Sequence, residues 1–307
     1  MNYKMSKNFY KFRYLLAIIL LTFINLYAEN PTGYILRFPI GAKAVSVACA
    51  FVSISDSLNS VPYNPAGLNL TKNEFMTTYN KGLDDIYTVY LSYGRKFLFG
   101  DFALSLFYFD GGDIELNYPD RPSETKKAQQ DYILFLTYKR NLLLVKNFGI
   151  NFKIYHSQLV EEVKSLSFVI DAGILRDLYL LNRKINFGLS VRNLSTKVVY
   201  SGGLASAEVY EWLPITTVCG CSTVFDFKKV RFLPMIDFVF NVVESKLDTL
   251  FGAEFNYQNL FIRSGYNSGT DSVSFGFGIN FAKYKLDYAT SITPIGFTHY
   301  LTLVFKL

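Results

Sequence analysis

From residue 74 onward, apolar and polar residues alternate along the chain with a period of two. The clearest segment is 273–281, where Val, Phe, Phe, Ile and Phe alternate with Ser, Gly, Gly and Asn; segments 148–155 and 187–192 follow the same pattern. Successive side chains of a strand point to opposite faces. Each segment therefore predicts a strand with one apolar, aromatic face and one face that is small, polar or charged.

The alternation predicts fourteen strands, most about ten residues long, which is the length that a tilted strand needs to cross a bilayer. Short turns alternate with longer polar connections at 111–130 and 195–213, as in outer-membrane barrels. We therefore predict an all-β protein, a 14-stranded antiparallel transmembrane β-barrel. The predicted strands are 74–79, 87–97, 101–110, 131–140, 148–158, 166–175, 185–193, 215–224, 232–242, 249–257, 260–266, 273–281, 284–290 and 299–306.

The N-terminus has the pattern of an export signal. A basic region with Lys4, Lys7, Lys11 and Arg13 precedes an apolar run at 14–26, and Ala28 ends a suitable cleavage site. The run is short for a membrane-spanning helix, so a cleaved signal peptide over residues 1–28 is favoured over an uncleaved anchor. This export signal, together with the predicted barrel, predicts that the protein lies in the cell outer membrane and that outer-membrane lipids are its partners.

Residues 29–73 alternate poorly and are rich in Gly, Pro and small residues. They predict a compact, irregular segment packed inside the barrel of residues 74–307, an N-terminal plug.

The composition excludes several classes of protein. Of 307 residues, 50% are hydrophobic and only 18% charged, which excludes a disordered chain. The formal net charge is +6; four of those positive charges lie in the predicted leader, so we expect no nucleic-acid partner. Two His and three Cys leave little material for catalysis, so we expect no enzyme, no cofactor and no metal site.

Several short sequence segments resemble the corresponding segments of one protein family. Segments 41–44, 50–56 and 63–68 resemble the start of the PorV/PorQ family, exported barrels related to FadL-type long-chain fatty acid transporters. The resemblance continues at 171–173, 192–194, 213–214, 252–255, 263–266, 286–289 and 296–299. It implies a 14-stranded barrel with an internal plug. The family usually has glycines where Ala48 and Cys49 stand, so the local backbone packing is expected to differ.

The first candidate site is the Asn-Pro-Ala-Gly element. Within this resemblance it is a plug or gating element whose displacement opens a path for an apolar solute. On the residues alone, Asn-Pro is a turn, because the residue before proline avoids the helical region. The residues are Asn64, Pro65, Ala66 and Gly67.

The second candidate set is a group of charges on the strand faces opposite the aromatic residues. A Lys or Arg facing lipid at the bilayer midplane costs about 2–4 kcal/mol, so these charges are predicted to point into the lumen. They either line a polar conduit or, as we favour, pair with one another and hold the plug. They are Lys153, Asp171, Arg192, Asp237, Glu254, Arg263 and Asp287.

Three further motifs have ordinary structural explanations. Residues 109–115 resemble a calcium loop, but they lack the ligand spacing of an EF-hand, so a hairpin or a bulge with Gly is favoured. Cys219 and Cys221 are two apart on one strand and predict no disulfide. His156 and His299 fall on the apolar strand faces, as structural or interfacial residues.

Two functions remain open. The favoured one is passive transport of hydrophobic, fatty-acid-like small molecules through a plugged barrel. The alternative is a PorV-like scaffold or cargo-binding barrel of a protein secretion system, whose partners would be secreted proteins or the secretion machinery and whose partner surface would be the two long loops.

Overall fold

The computed structural model describes residues 32–142, 147–180, 183–195, 198–202 and 209–307. The predicted signal peptide, residues 1–28, lies outside the described residues, as does part of the predicted loop 195–213. None of the helices in the described ranges has the length and apolar character needed to cross a bilayer.

The predicted fold class is confirmed: fourteen antiparallel strands form a closed barrel. Closure comes from the pairing of the first strand with the last, from Glu74 opposite Lys306 to Lys81 opposite His299. The barrel strands are β1 (Glu74–Lys81), β2 (Tyr87–Phe97), β3 (Gly100–Asp110), β4 (Gln129–Arg140), β5 (Asn147–Leu159), β6 (Val163–Leu180), β7 (Arg183–Leu194), β8 (Thr216–Thr223), β9 (Val230–Asn241), β10 (Lys246–Tyr257), β11 (Leu260–Asn267), β12 (Ser272–Phe281), β13 (Tyr284–Thr293) and β14 (Gly296–Lys306).

Short additional strands extend the sheet at the barrel rims. Val198–Gly202 pairs with β6 and with Val209–Glu211, and Phe225–Phe227 pairs with β9. A separate hairpin joins Asp113–Leu116 to Glu124–Lys127. Of residues 109–115, for which a hairpin or a bulge is predicted, 113–115 lie in this hairpin.

The outer surface of the barrel is apolar and its interior is polar, which is the reverse of a soluble protein. On β12, Val273, Phe275 and Phe277 are exposed, whereas Ser272 and Ser274 are buried. On β5, Phe152 is exposed while Asn151 and the ammonium-bearing Lys153 are buried. An apolar outer surface around a polar interior suits a protein whose outer solvent is lipid.

Strand direction defines two ends of the barrel. The loop end carries the connections 82–86, 111–128, 160–162, 242–245 and 268–271, together with the connection between β7 and β8. The terminal end carries the short turns 98–99, 258–259 and 282–283, and here the Leu307 N–H donates to the Asn73 carbonyl at 2.8 Å.

Residues 32–73, the N-terminal segment, contain only short helices: Tyr34–Arg37, Ala42–Val45, Ser57–Ser60 and Pro65–Gly67. The segment begins at the loop end, where the Thr32 N–H donates to the Trp212 carbonyl at 3.0 Å. It packs on the inward face of strands around the barrel, and its buried Leu58, Val61 and Leu68 form one apolar cluster with wall residues such as Tyr90 and Phe107.

The outward face generates a prediction about membrane stability. Phe277, near the middle of β12, is 53% exposed, and Phe281, at its end, is 59% exposed. Phe277→Lys should lower the free energy of unfolding in bilayers by about 2–4 kcal/mol, and Phe281→Lys by about 0–1 kcal/mol, because the cost of a lipid-facing cation depends on depth. Denaturant titration in liposomes measures both. Equal losses would contradict the assignment of this face to lipid.

Candidate functional site

Asn64 lies at the contact between the N-terminal segment and the barrel wall. Its side chain is buried, and its Nδ2 donates to the Val52 carbonyl at 2.7 Å and to the Ile174 carbonyl of β6 at 3.1 Å. Its Oδ1 accepts from the Ala66 N–H at 3.1 Å, which caps the short helix Pro65–Gly67. Asn64 therefore forms the turn expected from its residues and also bridges two parts of the segment to the wall.

The wall is built of glycine where this element touches it. A Cβ added to Gly149 of β5 would lie 2.2 Å from the backbone N of Ala66 and from the backbone C of Pro65. A Cβ added to Gly173 of β6 would lie 2.0 Å from Asn64 Oδ1. Glycine within a strand allows another backbone to approach this closely. The alternation assigns Gly149 to the inward strand face, but it does not mark these two glycines as contact positions.

Glycines elsewhere in the wall also lie close to the backbone of the segment. A Cβ on Gly188 would lie 2.1 Å from the Val52 carbonyl oxygen, and one on Gly265 would lie 2.4 Å from the carbonyl carbon of Val47. Next to Val47, Ala48 and Cys49 have φ of 53° and 63°. This left-handed conformation costs least for glycine, which is the residue that the resembled family usually has there.

A cavity of about 370 Å³ lies at the loop end, between the N-terminal segment and the wall; we call it the loop-end cavity. Apolar side chains that include Ile35, Phe38, Phe135, Val218 and Val239 form much of its lining, and Lys153, Arg192 and Asp237 also line it.

Arg37 lines this cavity and reaches the turn between β9 and β10. Its guanidinium donates to both carboxylate oxygens of Glu244, at 2.8 and 3.0 Å, and to Asn241 Oδ1 at 2.7 Å. These hydrogen bonds hold the pKa of the Glu244 carboxyl below its usual range. A bidentate pair of this kind fixes geometry as well as charge, so the start of the segment is tied to the turn between β9 and β10.

All seven predicted lumen charges are inward, and most have partners. Lys153 Nζ lies 2.7 Å from Asp171 Oδ1 and donates to Asn193 Oδ1. Asp237 Oδ2 accepts from the Val52 N–H of the segment at 2.8 Å. Arg192 is the exception, since it donates no hydrogen bond to any described residue although its Nε is buried.

The other three predicted charges belong to a larger assembly. Arg263 donates from Nε to Glu254 Oε2 at 2.6 Å and from Nη1 to Asp287 Oδ1 at 2.7 Å. Sequence reasoning missed three further members: Lys43 and Asp56 lie in the segment, where no periodicity assigns a face, and Lys285 lies on β13.

Lys43 and Asp56 close these charges into a ring. Lys43 Nζ lies 2.9 Å from Asp56 Oδ2 and 3.7 Å from Glu254 Oε2. Lys285 Nζ lies 3.7 Å from Asp56 Oδ2 and 3.6 Å from Asp287 Oδ2. We call the six residues the ion-pair ring. Burial alone would raise the pKa of Asp56, but the Lys285 and Lys43 ammonium groups outweigh it and hold that pKa well below its usual range.

A second cavity, of about 230 Å³, lies at the terminal end; we call it the terminal-end cavity. Its lining includes Lys43 and Asp56 from the segment and Phe261, Lys285 and Lys306 from the wall. The two cavities thus lie on opposite sides of the segment, one toward each end of the barrel.

The remaining candidates have structural roles. Asp110 Oδ1 accepts from the Gly112 N–H at 2.9 Å. No group of three or more His, Cys, Asp or Glu able to hold a metal occurs within the described residues. Cys219 and Cys221 are free thiols. His299 lies on the outer face, 2.8 Å from the Tyr288 hydroxyl.

Comparisons with known proteins agree with the fold. The sequence matches no protein-family profile and no curated protein. Among solved structures, the P. putida toluene transporter TodX has a TM-score of 0.57 at 10% identity, covering 85% of this chain and 98% of that one. The Ralstonia pickettii toluene transporter TbuX has 0.57 at 10%, covering 86% and 96%. The monoaromatic hydrocarbon channel CymD has 0.61 at 10%, covering 87% and 97%.

At these identities the likeness shows the fold alone. A closed barrel with an apolar outer face is the architecture of outer-membrane proteins, so the predicted location in the outer membrane is confirmed. The comparisons lend no support to membership of the PorV/PorQ family or to the secretion role that the resemblance implied.

The glycine contact at Asn64 generates a prediction. Gly149→Ala forces a Cβ into the backbone of the Asn-Pro-Ala-Gly element, so it should cost about 1–3 kcal/mol of stability and loosen residues 64–67. Limited proteolysis of the purified barrel measures the loosening.

Gly82→Ala is the matched control, because the three atoms nearest to its Cβ would all belong to Ile86 of the same hairpin, at 3.2 Å or more. Equal protease resistance of the two variants would show that the element does not depend on close contact with β5.

Proposed function

We propose that this protein passively admits hydrophobic small molecules across the outer membrane, with the N-terminal segment acting as a plug. The observation that carries the proposal is the loop-end cavity, whose apolar lining lies between segment and wall. Longer loops of outer-membrane barrels face outward and short turns face the periplasm. The cavity would then open to the outside, where a solute arrives.

The size of the cavity suits a small apolar solute. An apolar cavity of about 150 Å³ is enough to bind benzene, and the loop-end cavity has about 370 Å³. One monoaromatic ring or a short alkyl chain would fit. The printed names of the structural neighbours, toluene transporters and a monoaromatic hydrocarbon channel, support the same solute class.

Passage beyond the cavity requires the segment to move. In this proposal Asn64, Pro65, Ala66 and Gly67 form the gating element, because Asn64 joins the segment to β6 through one hydrogen bond at 3.1 Å. That bond and the glycine contacts are all local, so a small displacement of this element separates it from the wall.

Arg192 adds a charged group to the lining of the loop-end cavity. It lines the cavity and donates to no described residue, so its guanidinium is available to an acceptor oxygen. This supports amphipathic, fatty-acid-like solutes alongside pure hydrocarbons.

Filling the cavity tests the route. Val239 is buried and lines the cavity. Val239→Trp should lower the initial rate of toluene uptake into proteoliposomes several-fold, because the larger side chain occupies the solute's space. Val273→Trp, on the outward face of β12, is the control and should leave the rate unchanged. Equal rates for Val239→Trp and wild type would contradict this route.

Replacing the guanidinium tests the solute's head group. Hydrogen bonds to charged groups contribute about 1.5–3 kcal/mol, so octanoate should bind about 10- to 100-fold more tightly than methyl octanoate. Arg192→Gln should remove that preference and leave methyl octanoate binding unchanged. Calorimetry on the detergent-solubilised barrel measures both. A preference that survives in Arg192→Gln would rule out this role for Arg192.

A further inference from the structure

The stretch between Gly41 and Ser60 separates the two cavities. On the loop-end side the segment lines its cavity with residues 34–40, Cys49, Val52, Pro62 and Tyr63. On the terminal-end side it lines the other cavity with Lys43, Asp56, Ser57 and Asn59. A solute in the first cavity can reach the second only if this stretch leaves the wall.

The ion-pair ring joins this stretch to the wall at the terminal-end cavity. Two members, Lys43 and Asp56, belong to the segment, and the other four belong to β10, β11 and β13. Lys43, Asp56 and Lys285 also line the terminal-end cavity. The ring therefore stands at the place where a solute would leave the barrel.

The ring has two halves, one in the N-terminal segment and one in the barrel wall. Within the segment, Lys43 and Asp56 are 2.9 Å apart. Within the wall, the two Arg263 contacts measure 2.6 and 2.7 Å, and the Lys285–Asp287 contact measures 3.6 Å. The contacts that cross between the halves, Lys43 to Glu254 and Lys285 to Asp56, are both 3.7 Å.

Each half is electrically neutral. The segment half has one cation and one anion, and the wall half has two of each. Separating the halves leaves every charge beside an opposite charge, and so avoids the large penalty for a buried unpaired ion. The ring can thus open and close without stranding a charge.

We propose that the terminal-end cavity is the outlet of the barrel and that the Lys43–Asp56 pair is the latch that closes it against Glu254 and Lys285. This inference rests on the proposed function for its solute but not for its gate. The gate has a readout of its own, since an open outlet conducts ions whether or not a hydrophobic solute passes.

The sharpest test swaps the charges of the segment half, Lys43→Glu together with Asp56→Lys. The swap keeps the internal pair but places like charges opposite Glu254 and Lys285. Coupling energies of this kind change populations by about 5- to 150-fold, so open events in planar-bilayer recordings should become at least about tenfold more frequent. The control is the same swap at Lys126 and Glu162, an exposed pair 2.8 Å apart at the loop end, which should leave the recordings unchanged.

A second variant covers the case in which the swap does not fold. Lys43→Gln with Asp56→Asn removes the crossing attractions without adding repulsion, and a smaller rise, about threefold or more, is expected. Lys43→Arg keeps the charge and should stay closed. If the folded charge swap and the folded neutral pair both open no more often than the control swap, the latch is overturned.

The outcomes separate this inference from the proposed function. Raised conductance without toluene uptake by the wild type supports the outlet and contradicts the proposed solute. Toluene uptake by the wild type, with no change in conductance in the swap or the neutral pair, supports the solute and overturns the latch.

Discussion

Closure of the sheet through the pairing of β1 with β14 is the constraint on which the rest of this structure depends. In lipid every backbone N–H and C=O must be satisfied within the protein, and only a closed barrel does this with strands. Closure assigns alternate side chains to lipid and to lumen, so Phe152 points out while its neighbour Lys153 points in. A polar interior then needs partners for its charges, and the N-terminal segment supplies some of them.

The segment is held by two kinds of contact that differ in how they respond to motion. Packing of backbone against glycine, as at Gly149 and Gly188, is short-ranged, since a gap of about 0.5–1 Å already removes a quarter to a half of the attraction. Ion pairs across the ring weaken gradually with distance. The glycine contacts therefore determine where the segment rests, and the ring determines how firmly one end of it stays there. This division is what the proposed plug requires, because such a segment must both close the barrel and move.

The period of two predicted the strands because one face of each strand meets lipid and the other face meets the polar lumen. It also predicted that the seven charges point into the lumen and favoured their pairing with one another, but it did not identify particular pairs such as Arg263 with Asp287. It could not predict the ring, because Lys43 and Asp56 lie in a segment with no period and meet the wall only through tertiary packing. Nor could it locate the loop-end cavity, because that cavity forms where segment residues such as Phe38 and wall residues such as Val239 come together. The expected difference at Ala48 and Cys49 came from the resemblance alone, and both residues have the left-handed backbone that glycine adopts most easily.

The central claim is that an apolar solute occupies the loop-end cavity, and Cys49, which lines it, is a native reporter. Burial raises the pKa of this thiol to about 11, so its alkylation is slow and sensitive to access. In a Cys219→Ser, Cys221→Ser background, the most direct measurement is the rate of Cys49 alkylation by a small maleimide as toluene is added. The account predicts a rate that falls with toluene concentration and saturates. A rate that stays constant up to the solubility limit of toluene would contradict it.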